Sequence, residues 1–291
     1  MTTPTLHRLG VTLCLSVALI CNVSAQNISQ VSATTGQSSA LPAAAPPENR
    51  PSETSAKGLC PATFAGDQRP VSWKLLVPNI LCDQKRIWIF PWHLVQGNSV
   101  LPAAAIAGAT AGLVWLDPST TPYFRRTSSF HSFNQVLSGS NSTLIIGLVP
   151  LSFYGLNFLR HDSYGEQTAL LAGEAIADAE IVTTVMKDVD RRLRTADIPP
   201  NGNFANTWFK SKGTWWRGNG SFPSGHEIAA ISVATVFSRR YGRNHKWVPW
   251  VAYSMAGLIG FSRLTLSSHF PSDVFLGAAL GYSITRYAVL H

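Results

Sequence analysis

Apolar residues gather into six long blocks, at about 99 to 116, 143 to 160, 167 to 187, 225 to 240, 248 to 262 and 273 to 289. Turn-rich or charged stretches separate them. Their length and their Ala, Leu and Gly content favour helices over strands. The pattern predicts an all-α fold, a helical bundle of about six core helices with one long loop between helices three and four. That loop, Asp188 to Ser224, contains Pro199-Pro200 and an aromatic-basic stretch from Trp208 to Arg217. An irregular connection of such length in a compact domain is usually functional. The third block carries Glu174, Asp178 and Glu180 inside its apolar pattern, which suits a core helix with a polar stripe better than a lipid-facing span.

Upstream of the blocks the pattern changes twice. His7 and Arg8 precede an apolar run, Leu9 to Ile20, and Val23-Ser24-Ala25 offers small residues for cleavage, so residues 1–25 read as a secretory signal. Residues 26–58 are rich in Ser, Thr, Ala, Pro and Gln and read as a disordered spacer, because they lack the apolar side chains that repay ordering. Residues 59–98 form an irregular or short helical lead-in packed on the helical domain, residues 99–291. Export leaves Cys60 and Cys82 in an oxidising compartment, where a disulfide between them is favoured over two buried thiols.

The formal charge of +8 suits anionic substrates or anionic lipid surfaces. No long basic run or nucleic-acid motif accompanies it, so nucleic acid is not expected as a partner. Three distant clusters combine into one chemical proposal: Lys187 with Arg194, Pro223-Ser224-Gly225-His226, and Ser262-Arg263 with His269 and Asp273. Transfer of a phosphoryl group demands cations and amide donors at its oxygens. Lys187, Arg194 and Arg263 supply the cations, and Ser224 and Gly225 stand where the fourth helix should begin, offering free N–H groups. Asp273, four residues beyond His269, is placed to hold one imidazole nitrogen and leave the other as nucleophile. His226 then serves as the acid for the departing alcohol, and no cofactor or metal is called for.

These clusters resemble the signatures of the type 2 phosphatidic acid phosphatase and vanadium haloperoxidase superfamily: Lys-x6-Arg-Pro, Pro-Ser-Gly-His and Ser-Arg-x5-His-x3-Asp. The resemblance covers roughly residues 160 to 290, and it implies an all-helical core and phosphate-ester hydrolysis through a phosphohistidine on His269. Three departures stand out. Thr195 replaces the family proline after Arg194, Ser267 stands where glycine is common, and Glu227 follows His226, where Ser224-x-x-Glu227 also fits a helix capping box.

Each residue also has a plainer reading. Lys187 and Arg194 belong to a charged run that would ordinarily be a solvated helix end. Ser224 and Asp273 could each simply cap a helix. The joint occurrence of three clusters in order favours the site. The substrate class is a phosphorylated small molecule or a lipid phosphate or diphosphate. Vanadate-dependent haloperoxidase chemistry and non-catalytic binding of anionic lipid in the envelope are the alternatives. A count of crossings places the Lys187 loop on the cytoplasmic side if the signal is cleaved and the first three blocks all span, so the sequence favours an exported periplasmic domain, soluble or lying against a membrane, with an integral membrane protein as the alternative.

Overall fold

The computed structural model describes residue 60, residues 69–97 and residues 99–290; the expected signal and spacer lie outside the described residues. Eight helices and no strand are found among them. They are α1 (Leu76–Val95), α2 (Val100–Arg126), the short α3 (His131–Val136), α4 (Gly139–Arg160), α5 (Ser163–Asp190), α6 (Gly225–Tyr241), α7 (Trp247–Thr265) and α8 (Pro271–Ile284). The six apolar blocks correspond to α2 and α4 to α8, and the long loop joins α5 to α6.

Local chemistry fixes several of the boundaries. Ser138 caps α4 by accepting from the Asn141 N–H at 3.2 Å, and Asp162 caps α5 by accepting from Tyr164 and Gly165 at 3.0 and 3.3 Å. Helix α5 ends where Arg191 turns left-handed, φ 45°. Pro271 opens α8, a position where its missing N–H costs nothing.

Helix α6 is the axis of the bundle. Its side chains are buried almost all round, as expected for a helix that packs on several neighbours, and it contacts α5, α7 and α8. Leu171, Ala175 and Ala179 of α5 share one buried core with Ile228 and Val236 of α6. Close approach of α8 to α6 depends on Gly277 and Gly281. A Cβ on Gly277 would lie 2.8 Å from the Ser224 carbonyl, and one on Gly281 would strike the Ile228 carbonyl.

Two expectations change. The lead-in, expected to be irregular or a short helix, contains a 20-residue helix, α1. Arg69 explains its placement: the guanidinium reaches Asp83 of α1 at 2.7 Å, Glu174 of α5 at 3.1 Å and the Val289 carbonyl at 3.0 Å. Gln84 of α1 also donates to Asp178 at 2.8 Å. Much of the acidic stripe of the third block therefore binds α1 and Arg69, a partnership invisible to periodicity. Cys60 and Cys82 are joined by a disulfide, Cα to Cα 5.3 Å, which fastens the chain before Arg69 to the same helix. Secondly, the first block runs ten residues beyond 116, through Pro118 and Pro122. Helix α2 buries only Asp117 and Thr121 and turns Leu101, Trp115, Leu116 and Tyr123 outwards.

Candidate active site

The ends of four helices converge on one end of the bundle. Lys187 stands in the last turn of α5 with its side chain buried. Its ammonium lies over the first residue of α6, where a Cβ on Gly225 would come within 3.3 Å of Nζ. Burial, followed by repulsion from Arg194, lowers the Lys187 pKa, while Glu180 and Asp273 act in the opposite sense. Arg194 is exposed in the loop, and its charge bears on both Lys187 and His269.

Ser224 is the N-cap of α6. Its N–H donates to the Asp273 carbonyl at 3.0 Å, which joins the start of α6 to the start of α8. The Ser224 hydroxyl is buried and has no hydrogen-bond partner among the described residues. The expected capping box does not form, because the hydroxyl makes no cap bond and Glu227 turns away from the backbone. Its carboxylate fills the slot beside Gly260 of α7, where a Cβ would collide with it, and it feels the charge of Arg263. The missing side chain at position 260 supplies the space that a capping geometry would have left empty.

His269 follows α7 in the short connection to α8. Its Nδ1 is 2.8 Å from the Ser221 carbonyl, 3.3 Å from the Ser221 hydroxyl and 3.5 Å from Asp273 Oδ2. A backbone carbonyl can only accept, so Nδ1 carries the proton and Nε2 keeps the lone pair. Asp273 was expected to hold one ring nitrogen; it lies 3.5 Å from Nδ1, and the Ser221 carbonyl makes the nearer contact at 2.8 Å. Burial pulls the His269 pKa below its ordinary value, with Asp273 opposing and Lys187 and Arg194 reinforcing that shift.

Asp273 itself is fully buried. It accepts from the Phe270 N–H at 2.9 Å, from the Ser221 hydroxyl and from Arg192 Nη1 at 2.6 Å, so it caps α8 as well as facing the imidazole. Arg192 was assigned no role from sequence, yet it is only 1% exposed. Its other arm meets Asp117 of α2 at 2.6 Å, and it lies over the rings of Trp208 and Phe270. Asp117 also accepts from the hydroxyl and N–H of Ser272. Arg192, Asp117 and Ser221 are therefore the supporting residues that sequence reasoning missed. No short-range pattern marked Arg192 and Asp117, which lie 75 residues apart.

Arg263 stands in the last turn of α7. Its Nη2 donates to the Leu137 carbonyl at 2.7 Å and the Ser142 hydroxyl at 2.8 Å, tying α7 to the start of α4. His226, in the first turn of α6, places Nε2 3.0 Å from Thr143 Oγ1 and 3.2 Å from the Gly139 carbonyl. Burial first, then Arg263, pushes its pKa down to about 4, and His269 and Lys187 act in the same direction. The eight residues picked out from sequence thus lie at one end of the bundle, in mutual electrostatic or hydrogen-bonded reach.

Among the described residues, Asp83, Glu174 and Asp178 bring carboxylate oxygens within 4.8 Å of one another, a grouping able to hold a metal ion. Arg69 pairs with two of them, Asp83 and Glu174, and none of the three belongs to the clustered site.

Residues 168–290 match the model of the PAP2 superfamily. A Lipid A 1-phosphatase of Porphyromonas gingivalis is 41% identical over 61 residues, 21% of this chain and 14% of that protein. A Lipid A 4'-phosphatase of the same organism is 29% identical over 119 residues, 41% of this chain and 48% of that protein. The matches therefore span less than half of either curated relative. A transmembrane PAP2 type phosphatidylglycerolphosphate phosphatase from Bacillus subtilis aligns over 71% of this chain and 94% of its own, with 19% identity and a TM-score of 0.38. The three signature clusters, gathered at one end of an all-helical bundle, all fall within the residues 168–290 that match the PAP2 superfamily.

Proposed function

We propose that the chain is a membrane-associated phosphatase that hydrolyses lipid phosphate esters through a covalent intermediate on His269. The observation that carries this reading is the tautomer of His269: Nδ1–H is anchored on the Ser221 carbonyl at 2.8 Å, which leaves Nε2 unprotonated as a nucleophile. The lipid A phosphatases among the relatives support a lipid phosphate as substrate.

The phosphoryl oxygens are received by the α6 N-terminus, the Ser224 hydroxyl, Lys187, Arg194 and Arg263. Attack by Nε2 forms the N–P bond as the P–O bond to the lipid breaks, and His226 gives a proton to the departing oxygen. Water then attacks phosphorus, His226 takes its proton, and inorganic phosphate leaves as Nε2 is restored. With a pKa near 4, His226 is neutral in the free protein at neutral pH. A bound phosphate dianion offsets the cations that depress it, so the acid form is stabilised when substrate is present.

Two helices, Val100–Arg126 and Gly139–Arg160, are long and apolar enough to cross a membrane. Their large apolar side chains face outwards at Leu101, Trp115, Leu151 and Leu159, which supports residence in a bilayer. An exported, envelope location follows from the signal expected at residues 1–25. The test is phosphate release from a bilayer-borne lipid phosphate by wild type and His269→Ala, with chelator present. Release that vanishes in the variant supports the mechanism. Release that survives the substitution refutes the nucleophile, and release abolished by chelator refutes the metal-free route.

A further inference from the structure

Between α5 and α6 the chain builds an exposed arm beside the site, and its chemistry is one-sided. Phe209, Trp215 and Trp216 are 74%, 62% and 79% exposed, and Lys210, Lys212 and Arg217 alternate with them on the surface. No acidic residue occurs between Asp197 and Glu227. Arg191 lies over the Trp215 ring at 4.8 Å and adds a further cation to the same face. Exposing three large rings to water costs apolar hydration that folding could have avoided.

The arm is also held in place. Phe209 and Trp216 both adopt left-handed backbone, φ 58° and 66°. Bulky side chains rarely take that conformation, at a cost of about 1–2 kcal/mol each. Buried Asp188 enforces it at one end, accepting from the Trp216 N–H and from the Gly218 N–H at 3.2 Å. At the other end the Phe209 N–H donates to the Asp190 carbonyl at 3.0 Å. Ser211 Oγ to the Asn219 carbonyl at 2.9 Å and Asn219 Nδ2 to the Thr214 carbonyl at 3.1 Å brace the middle. The root of the arm is the site itself: a Cβ on Gly218 would lie 3.5 Å from Lys187 Cδ. Backbone strain and hydrogen bonds are thus spent on holding rings outward next to the phosphate-binding cations.

We propose that this arm docks on the headgroup layer of an anionic bilayer, with Phe209, Trp215 and Trp216 seated among the headgroups and Lys210, Lys212 and Arg217 on lipid phosphates. Aromatic rings favour that interfacial depth, and each basic residue near an anionic surface strengthens binding. The arm then collects a lipid-borne phosphate group and delivers it to Lys187. The proposal rests on the phosphatase reading for the delivery step, but the docking step stands without it.

The experiment uses the full chain in vesicles of phosphatidylglycerol, with brominated phosphatidylglycerol as quencher and brominated phosphatidylcholine as comparison. Wild type, Trp215→Ala/Trp216→Ala and Lys210→Gln/Lys212→Gln/Arg217→Gln are compared for tryptophan quenching. All three are also assayed on a vesicle-borne lipid phosphate and on a soluble phosphomonoester. Docking predicts quenching by the anionic brominated lipid that falls in the double variant. It also predicts a KM for the vesicle-borne substrate raised about tenfold in both variants, with soluble-substrate kinetics unchanged. Equal losses on both substrates would make the arm part of the site's scaffold and overturn the proposal. Unchanged quenching and unchanged KM would overturn it as well. If wild type cleaves neither substrate, the phosphatase reading falls, and quenching alone decides the docking.

Discussion

Asp273→Asn separates the charge of this residue from its shape. In wild type, Oδ2 lies 3.5 Å from His269 Nδ1, so once attack makes the imidazole cationic the pair is worth about 5 kcal/mol at an effective dielectric of about 20. Arg192, 2.6 Å from the other oxygen, cancels part of that field. We take about half, 2–3 kcal/mol, which corresponds to roughly a hundredfold fall in kcat. The asparagine keeps one acceptor for the Phe270 N–H, and Arg192 keeps Asp117 at 2.6 Å, so the fold survives. The stability loss is about 2–4 kcal/mol, at or below that for breaking a buried ion pair, because one of two partners remains. The assay is phosphate release in a single turnover, beside near-ultraviolet circular dichroism as a check on folding. Ser221→Ala serves as the control, since it removes a hydroxyl from Asp273 but leaves the carbonyl that holds Nδ1; it should cost only a few-fold. A folded Asp273→Asn protein with kcat within about threefold of wild type would refute the electrostatic argument and leave Asp273 as a helix cap.

Three further outcomes are expected. Ser267 holds φ 53° and makes only a long contact, 3.4 Å, to the Phe124 carbonyl, so Ser267→Gly should raise stability by about 1 kcal/mol, read as a melting temperature a few degrees higher. Gly277→Ala places a methyl 2.8 Å from the Ser224 carbonyl, so it should cost about 1–3 kcal/mol and at least tenfold in activity by displacing the α6 N-terminus; an unchanged rate counts against the close approach. Because burial lowers the His269 pKa, the neutral nucleophile persists as pH falls through 6.5, and the acid limb of kcat/KM, corrected for substrate ionisation, should lie below that value; a limb centred above pH 7 contradicts it.

The sequence made the helices and the clustered candidate residues legible for one reason: both depend on short-range pattern. Lys187, Ser224, His226, Arg263 and His269 sit in motifs whose internal spacing survives folding. Arg192 and Asp117 do not. They are 75 residues apart, and each had a misleading neighbour. Arg192 stood in a run of charges that reads as solvent-facing, and Asp117 preceded Pro118, where a helix is expected to end. Glu227 misled differently, since the capping pattern was present but Gly260, on another helix, offered its carboxylate a different place. The acidic stripe of α5 reads as unsuited to lipid, yet its partner Arg69 lies about a hundred residues upstream, beyond any periodicity.

The residue types at the site follow from which end of each helix they occupy. Successive long helices run in opposite directions, so the end of the bundle that holds the site presents the carboxyl ends of α5 and α7 beside the amino ends of α6 and α8. Cations are stabilised at carboxyl ends, and there stand Lys187 and Arg263, each in a last turn. Anions are stabilised at amino ends, and there stand Asp273 in the first turn of α8 and the amino end of α6 at Gly225. One amino end is thus filled by a carboxylate of the chain's own, which faces the His269 ring. The other keeps a buried hydroxyl without a partner and a lysine overhead. A phosphoryl group is the ligand we propose for that second end, as Asp273 completes the first, and His269, the proposed nucleophile, stands on the short turn between the α7 cation and the α8 carboxylate.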